Sequence, residues 1–375
     1  MLRILHSADW QVGLRARHVA SAGDLVREAR LHAARQCVET ANREGVDAVV
    51  LAGDTFEDNL VDDRLVEAVV QLLATSRSPV YVLPGNHDAL SHDSVYRRAS
   101  WKRRPEHVIL LDGREPVPIA HTDAFLVSAP IMQKKGFADP TRDMARAPEG
   151  AIAIGVAHGS LRIEGQYSPD DFPIALDAAQ RAGLDYLALG HWHGHYAHDE
   201  KTVYAGTHET TKFGEERSGQ ALVVEIASRG SPAKWREFRT GSLRWWVEDV
   251  DLSMGVDVAV ASVRRKIEDL EDPKRTLLRL RTKGLSSDGA ENALRTLQEE
   301  LTSKLLYFAL ERADVTERVA QGRLAHVARE SALVSGLLQD LGCASSEGGV
   351  APSLTTEKAQ AARSLLGEFV TEVWS

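Results

Sequence analysis

The stretch VYVLPGNHD, residues 80–88, decides how the rest of the chain is read. The apolar run Val80–Leu83 fits a buried strand, and Pro84–Gly85 stops it. Asn86 and Asp88 are ordinary turn residues, but no turn requires a histidine between them. The strand therefore delivers an amide, an imidazole and a carboxylate at its carboxyl end. Moving outward, the same pattern recurs. MLRILHSAD ends in Asp9, AVVLAGD in Asp54, IAIGVAHG in His158, and YLALGHWHGH in His191, His193 and His195. Taken singly, each is an ordinary turn or core residue. Their ordered appearance at successive strand ends points to a site, because ligands of α/β sheets collect beyond the carboxyl ends of strands. In an extended GHWH segment, His191 and His193 would point to one side.

Around these motifs the first part of the chain alternates strands with helices. Strands are expected at Leu2–His6, Ala48–Ala52, Val80–Leu83, Ile152–Ala157, Tyr186–Leu189, Thr202–Ala205 and Ala221–Ile226. In DLVREARLHAARQCVETANREG, Ala29, Ala33, Cys37 and Ala41 recur at helical spacing, with Asp24 as N-cap and Gly45 as stop. A second helix is expected at Asp62–Ala74. The alternation implies a layered α/β architecture over residues 1–242. Near Gly241 the pattern changes to strand, helix, strand, helix, strand, predicting a small α/β domain over 243–316. Trp245 and Trp246 fit its core or its seam with the first domain. The remainder, 317–375, reads as amphipathic helices, with Val319, Val327, Val334, Leu337, Leu338 and Leu341 on one face. LTTEKAQAARSLLGEFVTEVWS forms the last of them, beyond the break GCASSEGGVAPS.

Composition narrows the function. The 375 residues carry a net charge of −9, which argues against a protein that coats nucleic acid through phosphate neutralisation. Cys37 and Cys343 lack metal-ligand spacing, and a reduced, cytoplasmic setting is expected. No apolar run approaches the roughly 18 residues needed to span a membrane, and no signal peptide is expected. Carboxylate, amide and imidazole donors without thiolate suit Mn²⁺, with Fe²⁺, Zn²⁺ or Mg²⁺ as alternatives. The candidate ligands exceed what one ion needs, so a pair sharing a carboxylate is the economical arrangement.

This ordered set, Asp9, GD at 53–54, GNHD at 85–88, His158 and GHWH at 190–193, resembles the calcineurin-like metallophosphoesterase superfamily. ILHSADWQVG, GDTFEDNLVD and YAGTHETTKFGEERSGQALVVEI resemble its SbcD/YhaO-type DNA-repair exonuclease branch. The resemblance covers about residues 1–240. It implies a β-sandwich core flanked by helices, a small α+β DNA-capping domain and C-terminal helices that dock an SMC-like coiled-coil ATPase of the SbcC type. Relatives also dimerise through the phosphoesterase domain. It further implies that Asp9, Gln11 and His193 hold one Mn²⁺, that Asn86, His158 and His191 hold the other, and that Asp54 bridges both. His87 would touch the scissile phosphate and protonate the leaving oxygen. The implied activity is DNA exo- or endonuclease in end processing or repair. The alternatives are a small-nucleotide phosphodiesterase and a catalytically impaired scaffold.

Two residues depart from the family pattern. A histidine is usual where this chain has Gln11. An amide oxygen is neutral and a poorer donor to Zn²⁺ or Fe²⁺, so a weakened first site that favours Mn²⁺ is expected. Stricter repair relatives carry histidine where this chain has Glu57, which bears on the balance of exonuclease and endonuclease action. SVYRRASWKRRPEH places Arg97, Arg98, Lys102, Arg103 and Arg104 after GNHD. These could track a DNA backbone, with Trp101 or Tyr96 packing on sugar or base, or form a solvated helix face. Lys134 and Lys135 invite the same two readings. His195, His198 and His208 have no role in the family pattern.

Overall fold

The computed structural model describes residues 1–286, 290–317, 327, 329 and 331–344. The chain divides into two compact units, Met1–Arg244 and a second beginning at Trp245. In the first unit the strands are β1 (Leu2–Ser7), β2 (Ala48–Ala52), β3 (Val80–Leu83), β4 (Val108–Leu110), β5 (Val117–Pro118), β6 (Ala124–Ala129), β7 (Ile152–His158), β8 (Tyr186–Gly190), β9 (Tyr196–Ala197), β10 (Thr202–Tyr204), β11 (Gln220–Ile226) and β12 (Lys234–Arg239). Its helices are α1 (Gly23–Glu44), α2 (Asp63–Leu73), α3 (Ala99–Lys102) and α4 (Ala178–Arg181).

The strands build two six-stranded sheets, ordered β12-β11-β1-β2-β3-β4 and β5-β6-β7-β8-β10-β9. Alternation along each central strand explains why they stack. In β2, Ala48, Val50 and Ala52 join Ile4, Leu83, Ile154, Tyr186 and Ala188 in the core between the sheets. Val49 and Leu51 point the other way and pack with Ala34, Cys37, Val38, Val66 and Val69 of α1 and α2. On the second sheet, Ala153, Leu187 and Leu189 pack outward with Ala178 and Ala179 of α4. Strands buried on both faces are apolar throughout, which is why their sequences read as unbroken hydrophobic runs. The architecture is a β-sandwich with helices on both outer faces.

The helix ends follow local chemistry, with one correction. Gly45 closes α1 in the left-handed region at φ 60, where glycine carries no Cβ penalty. Asp24 is not the N-cap. Ala22 holds that position without a side-chain bond, while Asp24 sits in the first turn and pairs with Arg27. Asp62 caps α2 by accepting from the Arg64 N–H at 2.8 Å. Strands β4, β5, β6, β9 and β12 lie outside the expected set. The edge strand β12, KWREFR, is mostly exposed and charged, which suits an unpaired sheet edge but hides it from a search for apolar runs.

The second unit runs β13 (Arg244–Asp251), α5 (Val256–Glu268), β14 (Thr276–Ser286), α6 (Ala290–Lys304) and β15 (Tyr307–Glu317). Its sheet has the order β13-β14-β15, with β14 and β15 parallel. Val260, Val263 and Ile267 of α5 and Leu294, Leu297 and Leu301 of α6 form one core with Leu278 and Leu280, and Trp246 packs against it. A further helix, α7 (Ala332–Ala344), follows. Val334 is buried on it whereas Leu337 is 41% exposed, so the expected common face is not uniformly covered. Val319 and the segment LTTEKAQAARSLLGEFVTEVWS lie outside the described residues. Among the described residues no helix is long and apolar enough to cross a membrane.

Candidate metal centre

The strand ends of both sheets meet at one edge of the sandwich. Asp9, Asp54 and Asn86 follow β1, β2 and β3, while His158 ends β7 and His191 follows β8. The loops after β1 and β2 hold each other, with Asp9 N–H donating to Gly53 O at 3.1 Å and Gln11 N–H to Asp54 O at 2.8 Å. Asp9, Gln11, Asp54 and His191 all have positive φ, at 55°, 40°, 54° and 106°. Non-glycine residues seldom adopt this region, and such outliers cluster at functional sites. Gly85 has no room for a side chain, because a Cβ there would lie 2.1 Å from Asp54 Oδ1.

The inner donors converge tightly. Asn86 Oδ1 lies 2.9 Å from His158 Nε2 and 3.0 Å from His191 Nδ1. One donor atom each from Asp54, His158 and His191 falls within 4.8 Å of the others. His158 Nδ1 faces the Ala52 carbonyl at 2.9 Å, which assigns its hydrogen and leaves Nε2 to the site. His191 Nε2 is engaged by Asp171 at 2.8 Å, and Asp171 also accepts from Ser160 Oγ at 2.7 Å. This set of carboxylate, amide and imidazole donors fits a divalent cation. Burial alone would depress the His158 imidazole, but the Asp54 carboxylate 3.3 Å away outweighs it and holds His158 up at about 9. Burial works against the Asp54 carboxylate as well, yet His158 and His87 together hold it below the usual range.

The outer donors are braced from behind. Asp9 is fully buried, accepts the His191 N–H at 3.0 and 3.1 Å, and is pushed upward mainly by that burial. Its carbonyl accepts from Arg30 at 3.1 Å and from Thr207 Oγ1 at 2.8 Å. Gln11, Asp54, His191 and His193 line an open cleft of about 460 Å³ with His18, Glu57, His87 and Lys212. His193 Nδ1 lies 2.6 Å from Glu215 Oε1. At the GNHD corner, the His87 N–H donates to Asp54 Oδ1 at 2.9 Å, and its Nδ1 faces the Glu57 carbonyl at 2.8 Å. Asp88 turns away from the cleft. It accepts from Gly85 N–H, Phe56 N–H and Tyr96 Oη, and burial together with the Asp54 charge pushes it up to about 6.

Residues 2–195, over half of the chain, match the family described as Calcineurin-like phosphoesterase. This chain belongs to that family. It is 28% identical over 180 residues to the uncharacterized metallophosphoesterase YhaO of Bacillus subtilis, covering 45% of this chain and 42% of that protein. It thus spans less than half the length of that relative. It is 26% identical over 197 residues to a UDP-2,3-diacylglucosamine hydrolase of Xanthomonas campestris, covering 45% of this chain and 76% of the other. A crystal structure of TT1561 from Thermus thermophilus aligns with a TM-score of 0.40 and 13% identity, over 64% of this chain and 99% of that one.

Other residues singled out in the sequence fall elsewhere in the chain. The GHWH segment is not extended. β8 ends at Gly190 and the positive φ of His191 breaks the alternation, so His191 turns to Asn86 and Asp171 while His193 turns to Glu215. Trp101 and Tyr96 are 0% and 3% exposed and pack on Phe56, so neither can stack on a sugar or base. The basic stretch is no long helix face, since α3 ends at Lys102. Arg98 binds the carbonyls of Val61 and Asn59, Arg103 pairs with Glu67, and Arg104 donates to Val108 O at 3.0 Å. Arg97 donates to Ser91 O at 3.0 Å, and Lys102 is exposed. Lys135 pairs with Asp170 at 2.5 Å. His195 faces the Tyr204 carbonyl at 2.8 Å, and His208 is buried against the Arg30 carbonyl at 2.9 Å. Asp171 and Glu215 escaped the sequence reading. Each follows no strand end, and Glu215 was marked only as part of the stretch YAGTHETTKFGEERSGQALVVEI.

Proposed function

We propose that this phosphoesterase cleaves DNA phosphodiester bonds with two divalent cations, Mn²⁺ foremost. The observation that carries the reading is the convergence of Asp54, Asn86, His158 and His191 at a cleft that His87 also lines. Asn86, His158 and His191 would hold one cation and Asp9, Gln11 and His193 the other, with Asp54 shared. When bound, such a pair neutralises a phosphodiester and activates water toward phosphorus. The chain's own groups bind, orient and transfer protons. Gly85 leaves space for the Asp54 carboxylate, and the His87 N–H fixes one of its oxygens. With Nδ1 committed to the Glu57 carbonyl, His87 keeps Nε2 for the cleft. An imidazole in that place is positioned to give a proton to a departing alkoxide.

DNA is favoured as substrate by the SbcD/YhaO-like stretches and by the open cleft, with Lys212 and His18 on its lining. A second unit beyond residue 244 is more than a small-substrate hydrolase needs. We read the chain as the nuclease subunit of an SMC-like ATPase, docked through residues C-terminal to 317. A second reading, a nucleotide-linked diphosphate as substrate, is favoured by the similarity that spans 76% of a UDP-2,3-diacylglucosamine hydrolase. Purified protein with Mn²⁺ is to be given labelled single- and double-stranded DNA, bis-p-nitrophenyl phosphate and a UDP-linked diphosphate, with Asp54→Asn as control. DNA cleavage that disappears in the control is expected. Hydrolysis of small diesters alone overturns the DNA reading in favour of the second. DNA binding without any hydrolysis makes the protein a scaffold.

A further inference from the structure

We propose that Glu215 is a positioning residue that fixes the tautomer of His193 and strengthens it as a donor to the outer cation site, where Gln11 is a weak one. The inference rests on the two-cation reading above. Glu215 lies between β10 and β11, and its side chain is 4% exposed. Oε1 meets His193 Nδ1 at 2.6 Å and accepts from Thr211 Oγ1. Oε2 accepts the backbone N–H groups of Thr211 at 2.6 Å and Lys212 at 3.3 Å. A carboxylate only accepts, so the hydrogen on His193 belongs to Nδ1 and the lone pair to Nε2. His193 lines the same cleft as Gln11 and Asp54. There Gln11 offers a neutral amide oxygen. A carboxylate behind a ligating imidazole orients the ring and strengthens it as a donor, and its removal costs about 10–100-fold in metal affinity. Glu215 therefore offsets the weak donor at position 11 from the far side of His193.

Glu215→Gln separates this role from loop bracing. A glutamine keeps an oxygen for the Thr211 and Lys212 N–H groups but presents an NH₂ to His193 Nδ1. The imidazole then takes the other tautomer, with its hydrogen on Nε2, where it blocks ligation. Titration calorimetry with Mn²⁺ on the full chain compares wild type, Glu215→Gln, Glu215→Gln with Gln11→His, and Thr211→Val. Two-bond ¹⁵N–¹H spectra of the metal-free proteins read the His193 tautomer directly. The expected result is a loss of about 10–100-fold at one of two Mn²⁺ sites in Glu215→Gln, an unchanged melting temperature, and a switched tautomer. Gln11→His restores most of the lost affinity, and Thr211→Val, which removes one bond to Oε1 but leaves the carboxylate on His193, costs less than Glu215→Gln and keeps the hydrogen on Nδ1. The proposal is overturned if Glu215→Gln binds both ions as wild type does, or keeps its hydrogen on Nδ1. It is also overturned if both sites weaken together with a lowered melting temperature that Thr211→Val reproduces, or if Gln11→His rescues nothing. A wild-type protein that holds fewer than two Mn²⁺ refutes the two-cation reading instead, and the tautomer spectra still judge the hold of Glu215 on His193.

Discussion

The inner and outer halves of the cleft are built by different means. The inner half places Asn86 Oδ1 about equally close to His158 and His191, at 2.9 and 3.0 Å, before any cation is considered. Its residues end a strand or follow one closely, so the ladder bonds of both sheets set their positions. The outer half draws on Gln11, on His193 and on Asp9, whose carbonyl is held by Arg30 and Thr207. Both halves have a carboxylate behind a histidine, Asp171 at His191 and Glu215 at His193, and they differ in how closely the donors themselves converge.

The largest effect should come from removing the residue both halves share. Asp54→Asn should lower Mn²⁺-dependent diester hydrolysis by about 10³-fold, a loss of several kcal/mol of charge stabilisation, measured as initial rates at saturating Mn²⁺. A difference of tenfold or less would mean that the halves do not depend on a common carboxylate. Next in size, Asp171→Asn should weaken one Mn²⁺ site by about 10–100-fold, because it frees the far nitrogen of His191. Calorimetry should show the outer site unaffected, and equal weakening of both would erase the distinction. Gln11→His should act in the opposite direction at the outer site. An imidazole there should raise affinity for Zn²⁺ relative to Mn²⁺ on the order of tenfold, read by competition, with the inner site unchanged.

The smallest effect is a proton. In the metal-free protein His158 is raised from 6.5 to about 9, so at pH 7 it carries a proton that a cation must displace. Filling the inner half should release about one proton at pH 7, measured by calorimetry in buffers of different ionisation enthalpy. Apparent affinity should climb with pH and level off near 9. The sign for folding follows from the same shift. The stabilisation from protonated His158 is complete below pH 6.5 and is lost as pH rises through about 9, so the metal-free protein should melt at lower temperature across that window. A pH-independent melting temperature would show that Asp54 does not hold the imidazolium.

Much of the inner half was legible from residue order. Asp54, Asn86 and His158 interrupt or end runs that are otherwise apolar, and a polar residue stands out against such a run. The GHWH pair, which supplies one ligand to each half, was less legible. His191 and His193 looked like neighbours on one strand face, but the φ of 106° at His191 sends them to different partners. Backbone strain of that kind leaves no periodic trace. Trp101 and Tyr96 looked available beside a basic stretch, yet both are core residues under α2, since a short turn can bury aromatic rings as fully as a long helix. The strand AFLVSA at 124–129 passed unnoticed because no chemical group marks its end.

Local chemistry alone therefore determined which residue types stand at the ends of buried strands, because desolvated strands must be apolar and polar residues are tolerated only where they stop. Which of those residues meet, and which nitrogen of each histidine faces the cleft, was decided only when two sheets stacked. Glu215 reaches His193 across 22 positions and Asp9 reaches the His191 amide across 182. Pairings at such separations depend on register and packing, which no short stretch of sequence encodes.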